Sequence, residues 1–143
     1  MVNQGIINAK LTELAGRIGD IRGDCPASFS EFEQQRVARN LTSFNLMLAV
    51  QSCVDIASHI IADEGWPMPL KLADGFEQLR ERGVISEKSA KALQSAVGLR
   101  NIVAHGYAGI DQAKVHSAAI DGVRDLDLFA QEIAQWVAMK TIA

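Results

Sequence analysis

Residues 37–63 read VARNLTSFNLMLAVQSCVDIASHIIAD, and this stretch decides the fold. Val37, Leu41, Phe44 and Leu48 recur at the three- and four-residue steps of a helix and trace a coiled-coil-like seam. Val54, Ile56, Ile60 and Ile61 extend the apolar surface. Upstream, Ser28 precedes Glu31, and Ser30 precedes Glu33, at the spacing of a capping box. The pattern predicts the longest helix of the chain, from about Phe29 to Asp63. Gly65-Trp66-Pro67-Met68-Pro69 closes it, because its two prolines oppose helix. Apolar residues cover more of this helix than one packing face needs. The excess either fills a large core or covers a partner subunit.

Outward from that helix the same periodicity recurs. Ile7, Leu11, Leu14, Ile18 and Ile21 predict a first helix over about Ile6–Arg22, followed by a turn at Gly23-Asp24-Cys25-Pro26. A short helix is expected at about Lys71–Arg82, ended by Gly83. Ser86 is placed to cap another, which carries Ala90, Leu93, Val97, Ile102 and Val103. A last helix, from about Asp111 to Met139, aligns Val115, Ala119, Val123, Leu126, Phe129, Ile133 and Trp136 on one face. No sustained period-two pattern argues for a sheet. The expected fold is all-α, an up-and-down bundle of four long helices and one short helix in a single domain spanning residues 1–143.

With 143 residues, 48% of them hydrophobic and 22% charged, the composition is that of an ordinary globular domain. A net charge of −3 excludes coating nucleic acid through a general basic field, though not a small, locally positive RNA site. Cys25 and Cys53 form no C-x-x-C pair and have no His at zinc-ligand spacing. They read as reduced thiols of a cytoplasmic protein, with no metal or cofactor expected. The N-terminus lacks the basic and apolar regions of a signal peptide, and no apolar run approaches the roughly 20 residues of a membrane span.

The chemistry concentrates in Gly98-Leu99-Arg100-Asn101-Ile102-Val103-Ala104-His105-Gly106-Tyr107. Arg100 and His105 lie five positions apart, which on an unbroken helix separates two side chains by about 140°. They converge on one small target only if the helix ends near His105 or a second copy of the chain completes the site. The expectation here is both.

Arg100-Asn101-Ile102-Val103-Ala104-His105-Gly106-Tyr107 resembles the R-x4-H-x-Y motif of HepT-like toxins, a branch of the HEPN superfamily of RNases. Ala49–Ile61, the Gly65–Pro69 turn, Phe76-Glu77-Gln78-Leu79 and Gly83-Val84-Ile85 widen the similarity to about residues 28–112. The resemblance implies a HEPN-like bundle and a homodimeric, metal-independent endoribonuclease from a toxin–antitoxin pair. It also implies a cognate antitoxin, a nucleotidyltransferase of the MNT type, that adds AMP to the motif tyrosine, here Tyr107.

Those residue types suit RNA cleavage. RNA carries its own nucleophile, the 2′-hydroxyl, so an enzyme must move two protons and stabilise charge on phosphorus. The imidazole of His105 exchanges protons near neutral pH. Arg100 offers a planar, permanently charged set of donors matched to phosphate oxygens. One imidazole does not easily serve as both base and acid in one step, whereas two copies in a symmetric dimer divide the work. Asn101 is placed to orient the imidazole or a phosphate, and Tyr107 to bind or stack on RNA.

Plainer roles compete. Arg100 and His105 also suit a helix C-terminus, where cations meet the negative end of the dipole. Asp55 and His59 are either a supporting pair near the site or a structural pair on one face. His116 reads as solvated, Lys88 and Lys91 as a solvated face, and Trp66 and Trp136 as core or interface anchors. The alternative function is a non-catalytic helical partner of a nucleotidyltransferase.

Overall fold

The computed structural model describes residues 3–105 and 110–142, with the side chains of 141 and 142 left aside. The helices are α1 (Gln4–Asp24), α2 (Phe29–Gln34), α3 (Arg36–Asp63), α4 (Asp74–Glu81), α5 (Glu87–His105), α6 (Gln112–Ser117) and α7 (Val123–Ile142). A π-helical turn, Ala118–Gly122, joins the last two. Among the described residues there is no strand. The four long helices and the short α4 are those expected, and two of the expected spans are interrupted.

The first interruption splits the span 29–63. Ser28 accepts from the backbone of Glu31 and starts α2, but Gln35 leaves helical geometry at φ −91°, ψ 85°, and α3 begins at Arg36. The second is the π turn within the expected last helix. Asp111 caps that helix by accepting from the backbone of Ala113 and Lys114. Val115, Ala119 and Val123 then follow at two successive steps of four, which would rotate steadily away from the core on a plain α-helix. The wider π turn absorbs that drift, and all three are buried.

Other termini follow local chemistry. The Ser86 hydroxyl accepts from the backbone of Ser89, starting α5. At the end of α4, Gly83 has φ +76°, its N–H reaches Arg80, and the Val84 N–H reaches Leu79. This is the paired hydrogen-bond closure of a Schellman motif.

Phe32, Phe76 and Phe129 are the largest fully buried side chains, and Phe76 meets Phe129 edge-on with centroids 5.7 Å apart. Around them lie Ile7, Leu14, Ile18 and Ile21 of α1, Ile56, Ile60 and Ile61 of α3, and Leu126, Ile133 and Val137 of α7. Val137 fills the buried position expected of Trp136, which sits half-buried against Trp66 at the core edge. By length and composition α3 could cross a membrane, contrary to the sequence reading. In the bundle, 61% of its most apolar window is buried, as in the central helix of a globular protein.

The expected seam on α3 does not face the core. Val37, Leu41 and Phe44 are 81%, 43% and 50% exposed, while the neighbouring Thr42, Asn45, Leu46, Ala49 and Val50 turn inward. The amphipathic stripe exists, but it points out of the subunit.

Candidate active site on α5

α5 remains helical through His105, so Arg100 and His105 share one helix and diverge from it. Arg100 is half-buried and His105 exposed. Gly106 and Tyr107, the end of the motif, lie outside the described residues.

Arg100 is held by two amide oxygens. Its Nη1 donates to Asn101 Oδ1 at 2.7 Å, and its Nη2 donates to Gln51 Oε1 on α3 at 2.5 Å. Its Nε is buried without a hydrogen-bond partner among the described residues. Arg100 also lines a cavity of about 320 Å³ walled by Leu46, Val50, Ala96, Leu99, Val103 and Leu126. A guanidinium has five N–H donors; these two bonds orient the plane and leave donors over for an anion.

The polar chain continues past Gln51. Its Nε2 donates to Asp55 Oδ1 at 2.9 Å, and Asp55 Oδ2 lies 3.8 Å from Lys10 Nζ on α1. The structure therefore places Asp55 one residue behind Arg100, and the partners of its oxygens are Gln51 and Lys10 rather than His59. Asn101 accepts from Arg100 with its amide oxygen. Gln51 was not singled out from the sequence. The available signal was its position four residues before Asp55, a spacing at which Gln and Asp side chains hydrogen-bond on one helix face.

One other expectation changes. His116 is not solvated: its Nε2 lies 2.9 Å from Pro26 O, and its ring packs 4.9 Å from that of Phe32. It pins α6 to the turn before α2. Lys91 pairs with Glu87 at 3.0 Å on an exposed face, so that lysine belongs to the helix surface. Among the described residues, no three His, Cys, Asp or Glu side chains gather as a metal site. Burial pushes the Cys53 thiol far up and the Cys25 thiol up less strongly, which keeps both protonated near neutrality.

The family model for HepT-like ribonucleases matches residues 13–133. The chain belongs to that family. The mRNA nuclease HepT of Shewanella oneidensis is 32% identical over 108 residues, covering 74% of this chain and 78% of the relative. The tRNA nuclease HepT of Aphanizomenon flos-aquae is 27% identical over 108 residues, covering 76% and 71%. Among solved structures, the tri-AMPylated Shewanella oneidensis HEPN toxin in complex with an MNT antitoxin superimposes with a TM-score of 0.84 at 26% identity. That match covers 94% of this chain and 99% of the toxin. The all-α bundle seen here is thus a HEPN-like fold.

Proposed function

We propose that this chain is an endoribonuclease toxin, one HEPN-like domain that works as a homodimer without a metal ion. The observation that carries the reading is Arg100: a guanidinium oriented by Gln51 and Asn101, whose two bonds among the described residues use two of its five N–H donors, on the helix that also carries His105. Such a group binds a non-bridging phosphate oxygen and stabilises the charge that grows on phosphorus. His105 supplies proton transfer. One imidazole takes the proton from the 2′-hydroxyl, the 2′-oxygen attacks phosphorus, and the bond to the 5′-oxygen breaks. The partner copy's imidazole protonates that leaving oxygen, which yields a 2′,3′-cyclic phosphate and a 5′-hydroxyl.

Divergence of Arg100 and His105 on one helix supports the dimer, because a two-fold axis beside α5 brings both pairs to one cleft. The exposed apolar face of Val37, Leu41 and Phe44 is surface such an assembly would cover. The test is cleavage of RNA by purified protein in a chelator. Arg100→Ala and His105→Ala should each abolish cleavage with helicity and mass in solution unchanged. Full activity in both variants would overturn the assignment, and intact complex formation without any cleavage would favour a non-catalytic partner of a nucleotidyltransferase.

Regulation follows from the HepT-like relationship and the AMP carried by the Shewanella toxin. In our reading, the Tyr107 phenol oxygen attacks the α-phosphate of ATP on an MNT-type nucleotidyltransferase, losing its proton and releasing pyrophosphate. The attached AMP puts negative charge and bulk where anionic RNA must lie. Mass spectrometry should find AMP on the Tyr107 peptide after incubation with the partner and ATP. A bare peptide in the presence of demonstrably active partner would rule this out.

A further inference from the structure

The polar chain behind Arg100 has a definite chemical logic. Arginine only donates and an ionised carboxylate only accepts, so a side chain standing between them must accept on one side and donate on the other. Gln51 does both, through Oε1 to Arg100 and Nε2 to Asp55. Only one orientation of its amide satisfies both neighbours. Asp55 is in turn near Lys10, so α1, α3 and α5 are tied together at this point.

A carboxylate at position 51 would grip the guanidinium more tightly, but it would also neutralise it. Ion pairing with a fixed carboxylate spends the charge that a phosphate oxygen would otherwise meet. Here the carboxylate of the polar chain, Asp55, is held one residue back and stands beside a lysine. Among the described residues, both oxygens that bind Arg100 belong to uncharged amides, Gln51 and Asn101.

We propose that Gln51 is a positioning residue for the ribonuclease reaction: it fixes the Arg100 guanidinium by a neutral hydrogen bond and leaves its full charge for the scissile phosphate. The inference rests on the ribonuclease reading above. It goes further in naming a residue outside the R-x4-H-x-Y motif and in assigning its neutrality a purpose.

Three variants separate geometry from charge. Gln51→Met keeps length and volume but removes both hydrogen bonds. It should lower kcat by about 10- to 100-fold, the cost of a slightly misplaced catalytic group, with KM changed less than about threefold. The double variant Gln51→Glu with Asp55→Asn exchanges the two functional groups, so that the introduced carboxylate accepts both from Arg100 and from the introduced amide. It should retain the bonded geometry yet lose at least about tenfold in kcat, because the guanidinium is neutralised. Gln51→Glu alone faces Asp55 with a second carboxylate and should be worse than the double variant.

A second readout does not depend on cleavage. In nitrogen-15 spectra of the whole protein, the Arg100 Nη signals should be resolved by restricted rotation, remain so in the double variant, and collapse in Gln51→Met. Cleavage within twofold of wild type in both Gln51→Met and the double variant would overturn the proposal, as would Nη signals indifferent to Gln51→Met. A double variant as active as wild type beside an impaired Gln51→Met would overturn the charge argument. If the wild-type chain cuts no RNA, the ribonuclease reading fails, and the Nη signals still decide whether Gln51 holds Arg100.

Discussion

At Arg100 the chemistry depends on shape as much as on charge. Its Nη groups reach Gln51 and Asn101 in directions set by a planar fork, and the side chain lines the neighbouring cavity. A lysine keeps the charge but concentrates it in one flexible ammonium that cannot meet both amides and a phosphate together. Arg100→Lys should therefore slow single-turnover RNA cleavage by about 100-fold or more with the fold unchanged. A loss below about threefold, measured with enzyme in excess, would argue against a need for the planar fork. The identity of Arg100, Asn101 and His105 was legible in the sequence because the motif lies within a few positions. Gln51 was not, since it stands 49 positions away from Arg100 and meets it only through the packing of α3 on α5. The same reason explains His116, whose partner Pro26 is 90 positions distant.

At the scale of elements, glycines give predictions of opposite sign. Gly83 closes α4 at φ +76°, where a Cβ meets the following carbonyl, so Gly83→Ala should destabilise by about 1–2 kcal/mol. Gly19 lies within α1, is exposed, and has no atom within 4 Å of where a Cβ would stand. Gly19→Ala should stabilise by up to about 1 kcal/mol through helix propensity. Urea titrations followed by circular dichroism check both, and a shift of the same sign in the two would contradict the assignment of these positions. The caps at Ser28 and Ser86 were readable because capping needs only neighbours in sequence. The break at Gln35 carried no such signal: neither glycine nor proline marks it. The π turn left a trace in the steps of four from Val115 to Val123, which fit an α-helix nearly as well over so short a span.

Across the whole molecule the exposed stripe on α3 matters most. Apolar side chains recurring along one helix face and left 43–81% exposed are expensive for a lone subunit. The proposed homodimer predicts that Leu41→Asp combined with Phe44→Asp gives a monomer in light scattering, with helical signal retained. In the proposed mechanism it should also abolish RNA cleavage, since each subunit then keeps only one imidazole. A double variant that still elutes as a dimer would move the interface elsewhere and leave this stripe for another partner.

The sequence by itself determined the helical class, most helix ends and the R-x4-H pattern, because each is written in residues three to five positions apart. Only the tertiary structure decided that the Val37–Phe44 seam faces outward, and that Arg100 rests on a neutral amide backed by Asp55. Periodicity defines an amphipathic stripe but not what covers it. The direction a guanidinium takes is set by side chains that three packed helices bring together.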